Sequence, residues 1–167
     1  MTTCAVADVH YPADGGAHAA LLVADGPDFA TITEQRTAWL DRVADYRPGR
    51  FFERELPGLR AVIGDLAPLD LLIVDGYVDI DPNGRPGLGV HAHQAGLAAV
   101  VVGIAKTPFR TATHAIPVLR GVATKPLMVT AVGMDVAEAA ALVTRMAGTA
   151  RVPDAVRNVD RLARNMR

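Results

Sequence analysis

The sequence contains only one cysteine, Cys4, and it has no long apolar run. A single cysteine excludes an internal disulfide and any cysteine-rich zinc module, and it suits a reducing compartment. No run of about 18 apolar residues is present to span a membrane, and no basic segment followed by an apolar one marks a secretion signal. These absences favour a cytoplasmic protein with no membrane partner.

The charge also lacks an excess of either sign, since 17 Lys and Arg oppose 18 Asp and Glu for a net charge of -1. No global basic field therefore indicates a nucleic-acid partner, although a local basic patch is compatible with these counts. Half of the residues are hydrophobic, which excludes a disordered chain. With 167 residues we expect a single domain over residues 1–167, acting as a monomer.

Short apolar segments at the start of the chain predict three sequential antiparallel strands. The first begins near residue 3, and "HAALLVADGPDFATITEQ" has the pattern strand, turn, strand, with a hairpin signal at Asp25-Gly26-Pro27-Asp28. Residues 36–49 leave two alternatives, an extended arm or a short helix. Residues 50–66 predict a helix with a candidate break at Pro57.

Two continuously apolar segments, "LDLLIVDG" and "AAVVVGIAK", are typical of parallel strands buried on both faces, with a helix near residues 91–98 between them. A strand pair follows in "PVLRGVATKPLMVTAVG". A helix then begins at the capping pair Asp135 and Glu138 and ends at Gly148. The tail predicts a last helix with Val156, Val159, Leu162, Ala163 and Met166 on one face. The sequence therefore predicts an α/β fold with a mixed central sheet, antiparallel at first and parallel afterwards, flanked by helices.

Carboxylates occur where apolar strands would be buried. Asp8 interrupts the first strand and Asp75 ends a later one, although Asp75 alone is equally compatible with a turn or a cap. A buried carboxylate is unfavourable unless it is paired, hydrogen-bonded or bound to metal. Two of them on adjacent strands would form a hard oxygen site for Mg²⁺ or Mn²⁺. Glu53 or Glu55 is a candidate third ligand, and only one of the two can face inward on a helix.

Basic side chains supply further candidates. Lys106 directly follows an apolar strand, where open α/β sheets bind ligands, and it suits either phosphate neutralisation or a solvated strand end. His91 and His93 would face the same way on a strand, a zinc half-site without a third partner. The late arginines either contact a nucleic-acid backbone or form a solvated helix face; they are Arg151, Arg157, Arg161, Arg164 and Arg167.

Five segments resemble the endonuclease V family in the order in which they occur: "VADVHY", "YRPGRFFERELP", "VDGYVDIDPNGRPGLGVHAHQAG", "VGIAKT", and "KPLMVTAVG" with "RVPDAVR". The resemblance implies a ribonuclease H-like three-layer fold. It also implies a metal-dependent endonuclease of DNA repair that uses Mg²⁺, with Mn²⁺ as a substitute. Its reaction would be phosphodiester hydrolysis near deaminated purines, chiefly inosine, in damaged DNA, with RNA as an open alternative.

The resemblance also assigns residues. It implies that Asp8, Glu55 and Asp75 are the metal-binding and catalytic carboxylates, with Lys106 as a further catalytic residue. The implied substrate-binding residues are the wedge Tyr46 with Pro48 and Gly49, the base-pocket glycines Gly49, Gly76 and Gly89, and His93 near the phosphate.

The sequence departs from the family at three points. Asp81 precedes Pro82 and Met134 follows Gly133, where the family usually has histidines. The chain also starts almost directly on its first strand, without the family's N-terminal helical segment. These changes keep the three carboxylates but leave two alternatives open. One is an inosine- or damage-binding protein with weak or lost catalysis, and the other is a protein of the same scaffold that does not bind nucleic acid.

Overall fold

We describe the chain from a computed structural model, which covers residues 2–45, 47–48, 50 and 52–165. The strands are β1 Cys4–His10, β2 Ala17–Ala24, β3 Ile32–Leu40, β4 Leu69–Asp75, β5 Ala98–Ala105, β6 Ile116–Val118 and β7 Leu127–Val132. The helices are α1 Phe52–Ile63, α2 Leu88–Gln94, α3 Val136–Arg145 and α4 Asp154–Arg164. Within the described residues, no helix is both long and apolar enough to cross a bilayer.

The strands form a seven-stranded sheet in the order β3-β2-β1-β4-β5-β7-β6. Strands β1, β2 and β3 pair in antiparallel fashion, whereas β1, β4 and β5 are parallel to one another. Strand β7 then pairs antiparallel with both β5 and β6. The predicted antiparallel start and parallel middle of the sheet are therefore confirmed.

Helices cover both faces of this sheet. On one face, Leu59 and Ile63 of α1 and Ala92 of α2 pack on the odd-numbered residues of β1 and β2. On the other face, Val159 of α4 packs on the even-numbered residues of β1 and β2, and Val143 of α3 packs on β6 and β7. Because the central strands are covered on both sides, their sequences are apolar at every position rather than at alternate ones.

Several predicted boundaries differ from the observed ones. Helix α1 continues through Pro57 without a break, and the segment after residue 36 is strand as far as Leu40. The helix predicted near residues 91–98 begins earlier, at Leu88, and ends at Gln94.

Helix α3 ends at Arg145 rather than at Gly148. The buried Arg120 caps this end, because its guanidinium donates hydrogen bonds to the carbonyl oxygens of Val143, Met146 and Gly148. Carbonyls at the end of a helix lack partners within the helix, and Arg120 supplies those partners from a distant loop.

Candidate active site

The carboxyl ends of the parallel strands place three predicted site residues at one edge of the sheet. Asp8 lies near the end of β1, Asp75 is the last residue of β4, and Lys106 directly follows β5. Together with Glu55, all three line one cavity of about 340 Å³. Because these strands are parallel neighbours, residues far apart in the chain come together there.

Helix α1 lies on the face of the sheet opposite to α4, and it brings Glu55 to the same edge as Asp8 and Asp75. The Glu55 side chain is buried, with 9% of the residue exposed, whereas Glu53 forms an ion pair with Arg50 at 2.6 Å. A Cβ at Gly58 would lie 3.1 Å from Val9, so glycine at this position lets α1 pack closely on β1. Of the two glutamates considered from the sequence, Glu55 is the one that faces the cavity.

A fourth carboxylate, Asp160 of α4, lines the same cavity and was not among the predicted residues. The Asp8 carboxyl group donates a hydrogen bond to it. On the other side, Arg164 Nε donates to both Asp160 oxygens, at 3.0 and 3.1 Å. A sequence signal existed, because Asp160 is four residues after Val156 and three before Ala163, both of which are buried on the inner face of α4.

The carboxyl groups strongly perturb one another. Burial, followed by the hydrogen bond to Asp160 and the charge of Asp75, raises the pKa of Asp8 to about 7. Burial and the charge of Asp8 raise the pKa of Glu55 to about 8. Burial also raises the pKa of Asp75, although the ammonium of Lys106 opposes the shift.

The pKa of Asp160 moves the other way. Burial acts to raise it, but the hydrogen bonds from Asp8 and Arg164 lower it by more. The hydrogen bond between the two carboxyl groups therefore favours the proton on Asp8 and the negative charge on Asp160. Such an arrangement is expected where two carboxyl groups lie too close for both to ionise.

This set of residues fits a divalent cation. Carboxylate oxygens are the ligands that Mg²⁺ prefers, and the raised pKa values of Asp8 and Glu55 show that the nearby basic side chains do not offset the buried negative charge completely. Within the described part of the chain, no three His, Cys, Asp or Glu side chains converge closely enough to enclose an ion by themselves. Mg²⁺ does not require such an enclosure, since it usually keeps several waters and binds through one or two carboxylates plus substrate phosphate.

The loop after Asp75 is held by two neighbouring strands. The Val78 amide donates to Thr130 Oγ1 of β7 at 2.9 Å, in a fully buried position. A Cβ at Gly103 would overlap the Gly76 carbonyl oxygen, so glycine in β5 allows this loop to close over the strand. Gly76 itself has a positive φ of 98°, and the space where its Cβ would stand is open.

Two further predicted substrate-binding residues lie on α2. Gly89 is buried and a Cβ there would overlap Val78, so the missing side chain admits the protein's own backbone rather than a base. His93 Nδ1 hydrogen-bonds with the carbonyl oxygen of Ala98 at 3.2 Å. Ala98 begins β5, at the edge opposite Asp75, so the expectation that His93 lies near the phosphate is corrected.

The other candidates from the sequence are also placed. His91 and His93 lie on a helix rather than a strand, and the ring of His91 stacks on that of Phe52 with centroids 3.6 Å apart. The interpretation of the two histidines as a zinc half-site is therefore wrong. Pro48 is exposed in a turn. The predictions for Tyr46, Gly49, Met166 and Arg167 fall outside the described residues.

Two of the three departures from the family pattern, Asp81 and Met134, lie outside the cavity that the carboxylates line. Asp81 accepts hydrogen bonds from the amides of Asn83 and Arg85, at 2.9 and 3.2 Å, and so stabilises its own turn. Met134 follows β7 and packs on the core, lining a cavity with Cys4 and Leu71 at the opposite edge of the sheet. Neither residue touches the cavity that Asp8 lines.

A mixed sheet covered by helices on both faces, with acidic side chains gathered where its parallel strands end, is a ribonuclease H-like fold. The family model described as Endonuclease V matches residues 1–133. The chain therefore belongs to the endonuclease V family and is a nuclease that hydrolyses phosphodiester bonds.

Solved structures share the whole fold. Endonuclease V from Streptomyces avermitilis is 24% identical with a TM-score of 0.79, covering 98% of this chain and 80% of that one. Human ENDOV is 21% identical with a TM-score of 0.78, covering 98% and 83%. Endonuclease V of Ciona intestinalis, in complex with a 23mer DNA containing an inosine followed by a ribo-adenosine, is 18% identical with a TM-score of 0.76, covering 98% and 84%. A comparison with curated proteins gave no match.

Proposed function

We propose that this chain is a metal-dependent endonuclease that cuts DNA near deaminated purines, chiefly inosine, and that RNA is a second substrate to be compared with DNA. The observation that carries the proposal is the convergence of Asp8, Glu55, Asp75 and Asp160 in one cavity beside Lys106. The Ciona intestinalis relative, whose structure holds inosine-containing DNA, supports the choice of inosine.

The cavity residues have distinct roles in this proposal. Asp8 and Asp75, with Glu55 beside them, would hold Mg²⁺, with Mn²⁺ as a substitute. The metal would supply a hydroxide nucleophile at neutral pH and stabilise charge on the phosphate. The Lys106 ammonium attracts the anionic phosphodiester and offsets the negative charge that develops on it. Arg164 fixes the orientation of Asp160 through its two hydrogen bonds.

Base recognition is assigned to the loops around Gly76 and Tyr46. Extruding a base from the duplex costs a few kcal/mol, and least for a weakly paired base such as inosine. The open space beside Gly76 supports the approach of a flipped base to the backbone there. Tyr46, with Pro48 and Gly49, remains the proposed wedge that fills the resulting gap.

The late arginines that the structure describes divide into two groups. Arg151 donates to the carbonyl oxygens of Lys125, Lys106 and Pro126, so its role is structural. Arg157, Arg161 and Arg164 line a second cavity of about 310 Å³ together with Lys106. We assign this basic surface to the phosphates next to the cleaved bond, since Lys and Arg contacts to phosphate dominate nucleic-acid affinity.

The test is a nicking assay on a duplex with one inosine, compared with the same duplex carrying adenosine and with an inosine-containing RNA. Cleavage should require Mg²⁺ or Mn²⁺ and should stop with EDTA. Asp75→Asn should abolish cleavage while the circular dichroism spectrum stays unchanged. No nick at high enzyme concentration with either metal would reject the proposal.

The binding-only alternative predicts inosine-selective binding without cleavage in the same assay. It was based on the replacement of family histidines by Asp81 and Met134. Because Asp81 stabilises a turn and Met134 lies at the far edge of the sheet, neither replacement gives a reason for lost catalysis. We therefore retain hydrolysis as the proposed activity.

A further inference from the structure

The only tryptophan of the sequence, Trp39, stands half exposed near the end of β3, with 50% of the residue accessible. Its ring is held on several sides. Trp39 Nε1 donates to an Asp41 carboxylate oxygen, and the indole packs edge-on against His18 with centroids 4.6 Å apart. A Cβ at Gly16 would overlap the indole, so the glycine turn lies directly against it. The indole is therefore fixed in position while much of its surface faces solvent.

The register of the sheet relates Trp39 to the carboxylates. Trp39 pairs with His18 across β3 and β2, and His18 pairs with His10 across β2 and β1. The three side chains therefore lie on the same face of the sheet, with 6.3 Å between the two histidine ring centroids. His10 lines the cavity that Asp8 lines, and Asp8 is two residues earlier on the same face.

The distance between Asp8 and Trp39 corresponds to a few nucleotides of a DNA strand. Neighbouring strands are about 4.8 Å apart, so β3 lies roughly 10 Å from β1. A DNA strand in a duplex advances about 3.4 Å along the axis for each nucleotide. A strand whose phosphate reaches Asp8 would thus bring a base about three nucleotides away to the position of Trp39.

An isolated exposed apolar side chain is ordinary and needs no ligand. Trp39 differs because hydrogen bonding and packing restrict its ring before any ligand arrives, so little entropy is lost when a flat partner stacks on it. Nucleobases are such partners, and stacking on aromatic side chains is tolerant of base identity.

We propose that Trp39 is a stacking platform for a nucleobase of the substrate strand, about three nucleotides from the bond that is cut. The inference depends on the proposed function for its partner, a nucleic acid, but not on hydrolysis taking place. The expected contribution of one stacked base is about tenfold in binding affinity.

Because Trp39 is the only tryptophan, its own emission reports the contact. The wild-type protein is titrated with inosine-containing strands and duplexes, with Ca²⁺ in place of Mg²⁺ and strand integrity checked on a gel. Emission should fall and saturate as a base stacks on the indole. A series of substrates, each with one abasic site at a different position, should lose this quenching at a single position.

Variants provide the second readout, which is the anisotropy of labelled DNA. Trp39→Leu should weaken binding about tenfold, whereas Trp39→Phe should stay within about twofold to threefold of wild type because it keeps an aromatic face. Thr37→Ala, on the same strand and the same face, is the matched control and should bind as wild type does. On the substrate whose abasic site abolishes the quenching, the wild-type protein and Trp39→Leu should bind with equal affinity.

The outcomes separate this inference from the proposed function. Cleavage of inosine DNA without a change in Trp39 emission, or with equal binding by Trp39→Leu, overturns the inference alone. Position-specific quenching without cleavage supports the inference and rejects hydrolysis. If Trp39→Leu loses only thermal stability or self-association, Trp39 supports the glycine turn or a protein contact, and the inference is wrong. The abasic series needs no variant and decides the matter even if Trp39→Leu does not fold.

Discussion

Four carboxyl groups share the candidate active site, and only three of them stand out in the sequence. Asp8 and Asp75 are conspicuous because each interrupts or ends an apolar strand. Glu53 and Glu55 were both candidates from the sequence, and the burial of the Glu55 side chain decides between them. Asp160 was missed because it lies in a helix rich in charged residues, where an acidic side chain is usually solvated.

The role of Asp160 can be tested by Asp160→Asn. The substitution removes the negative charge of Asp160 and replaces one of the two oxygens that face Asp8 and Arg164 with an amide group. Residues that orient metal ligands typically contribute about 10- to 100-fold to activity or metal affinity, and we expect a loss of that size in the single-turnover nicking rate. Asp154→Asn makes the same change of charge on the same helix, at an exposed ion pair with Arg157. It should leave the rate nearly unchanged, and equal losses in both variants would show a general effect of charge.

At the scale of single elements, helix α3 shows which of its two ends is determined by residues that are neighbours in the sequence. Its start was predicted correctly, because the Asp135 carboxylate accepts a hydrogen bond from the Ala137 amide at 2.8 Å within the same turn. Its end was misplaced, because Arg120 binds the last carbonyls from a different part of the chain. Contacts between neighbours in sequence can be recognised from the sequence, whereas contacts that depend on the tertiary fold cannot.

Removal of the cap of α3 gives a prediction for this element. Asp135→Ala should lower the free energy of unfolding by about 1 kcal/mol, since the Ala137 amide loses its acceptor. Urea denaturation measures the loss. Asp135→Asn keeps an acceptor oxygen and should lose only a few tenths of a kcal/mol. Nicking should be unaffected in both variants, because α3 packs on β6 and β7 and lines no part of the carboxylate cavity.

For the molecule as a whole, hydropathy patterns predicted the fold well and the site in part. Runs that are apolar at every position identified β4 and β5 as parallel strands, and their carboxyl ends then located Asp75 and Lys106. The patterns did not show that α4 crosses the end of β1, because packing of one helix over a sheet depends on the complete core. The close contact between Gly89 and Val78 was missed for the same reason, since Val78 is part of a loop.

The stability of the whole protein should depend on pH and metal together. In the metal-free fold the pKa of Asp8 is raised to about 7 and that of Glu55 to about 8, above their ordinary values of 3.8 and 4.5. The folded state thus holds protons that the unfolded state releases. The stability due to these groups is complete below about pH 4 and is lost as the pH rises through 7 to 8.

A bound cation replaces those protons. We therefore expect Mg²⁺ or Mn²⁺ to raise the melting temperature, relative to EDTA, by more at about pH 8.5 than at about pH 5.5. Differential scanning fluorimetry measures the shift. Glu55→Gln should have a weaker dependence of its metal-free melting temperature on pH. A metal-induced shift of equal size at both pH values would contradict the assignment of the cavity as a cation site.

The carboxyl groups of the cavity come from β1, α1, β4 and α4, so the set spans the chain from residue 8 to residue 160. A ribosome that translates this protein adds Asp160 late, after it has synthesised all the strands of the sheet. On the proposed function, a nascent chain that stops before this residue lacks a full set of acidic groups. Unfinished copies would therefore hydrolyse nucleic acid poorly until translation is nearly complete.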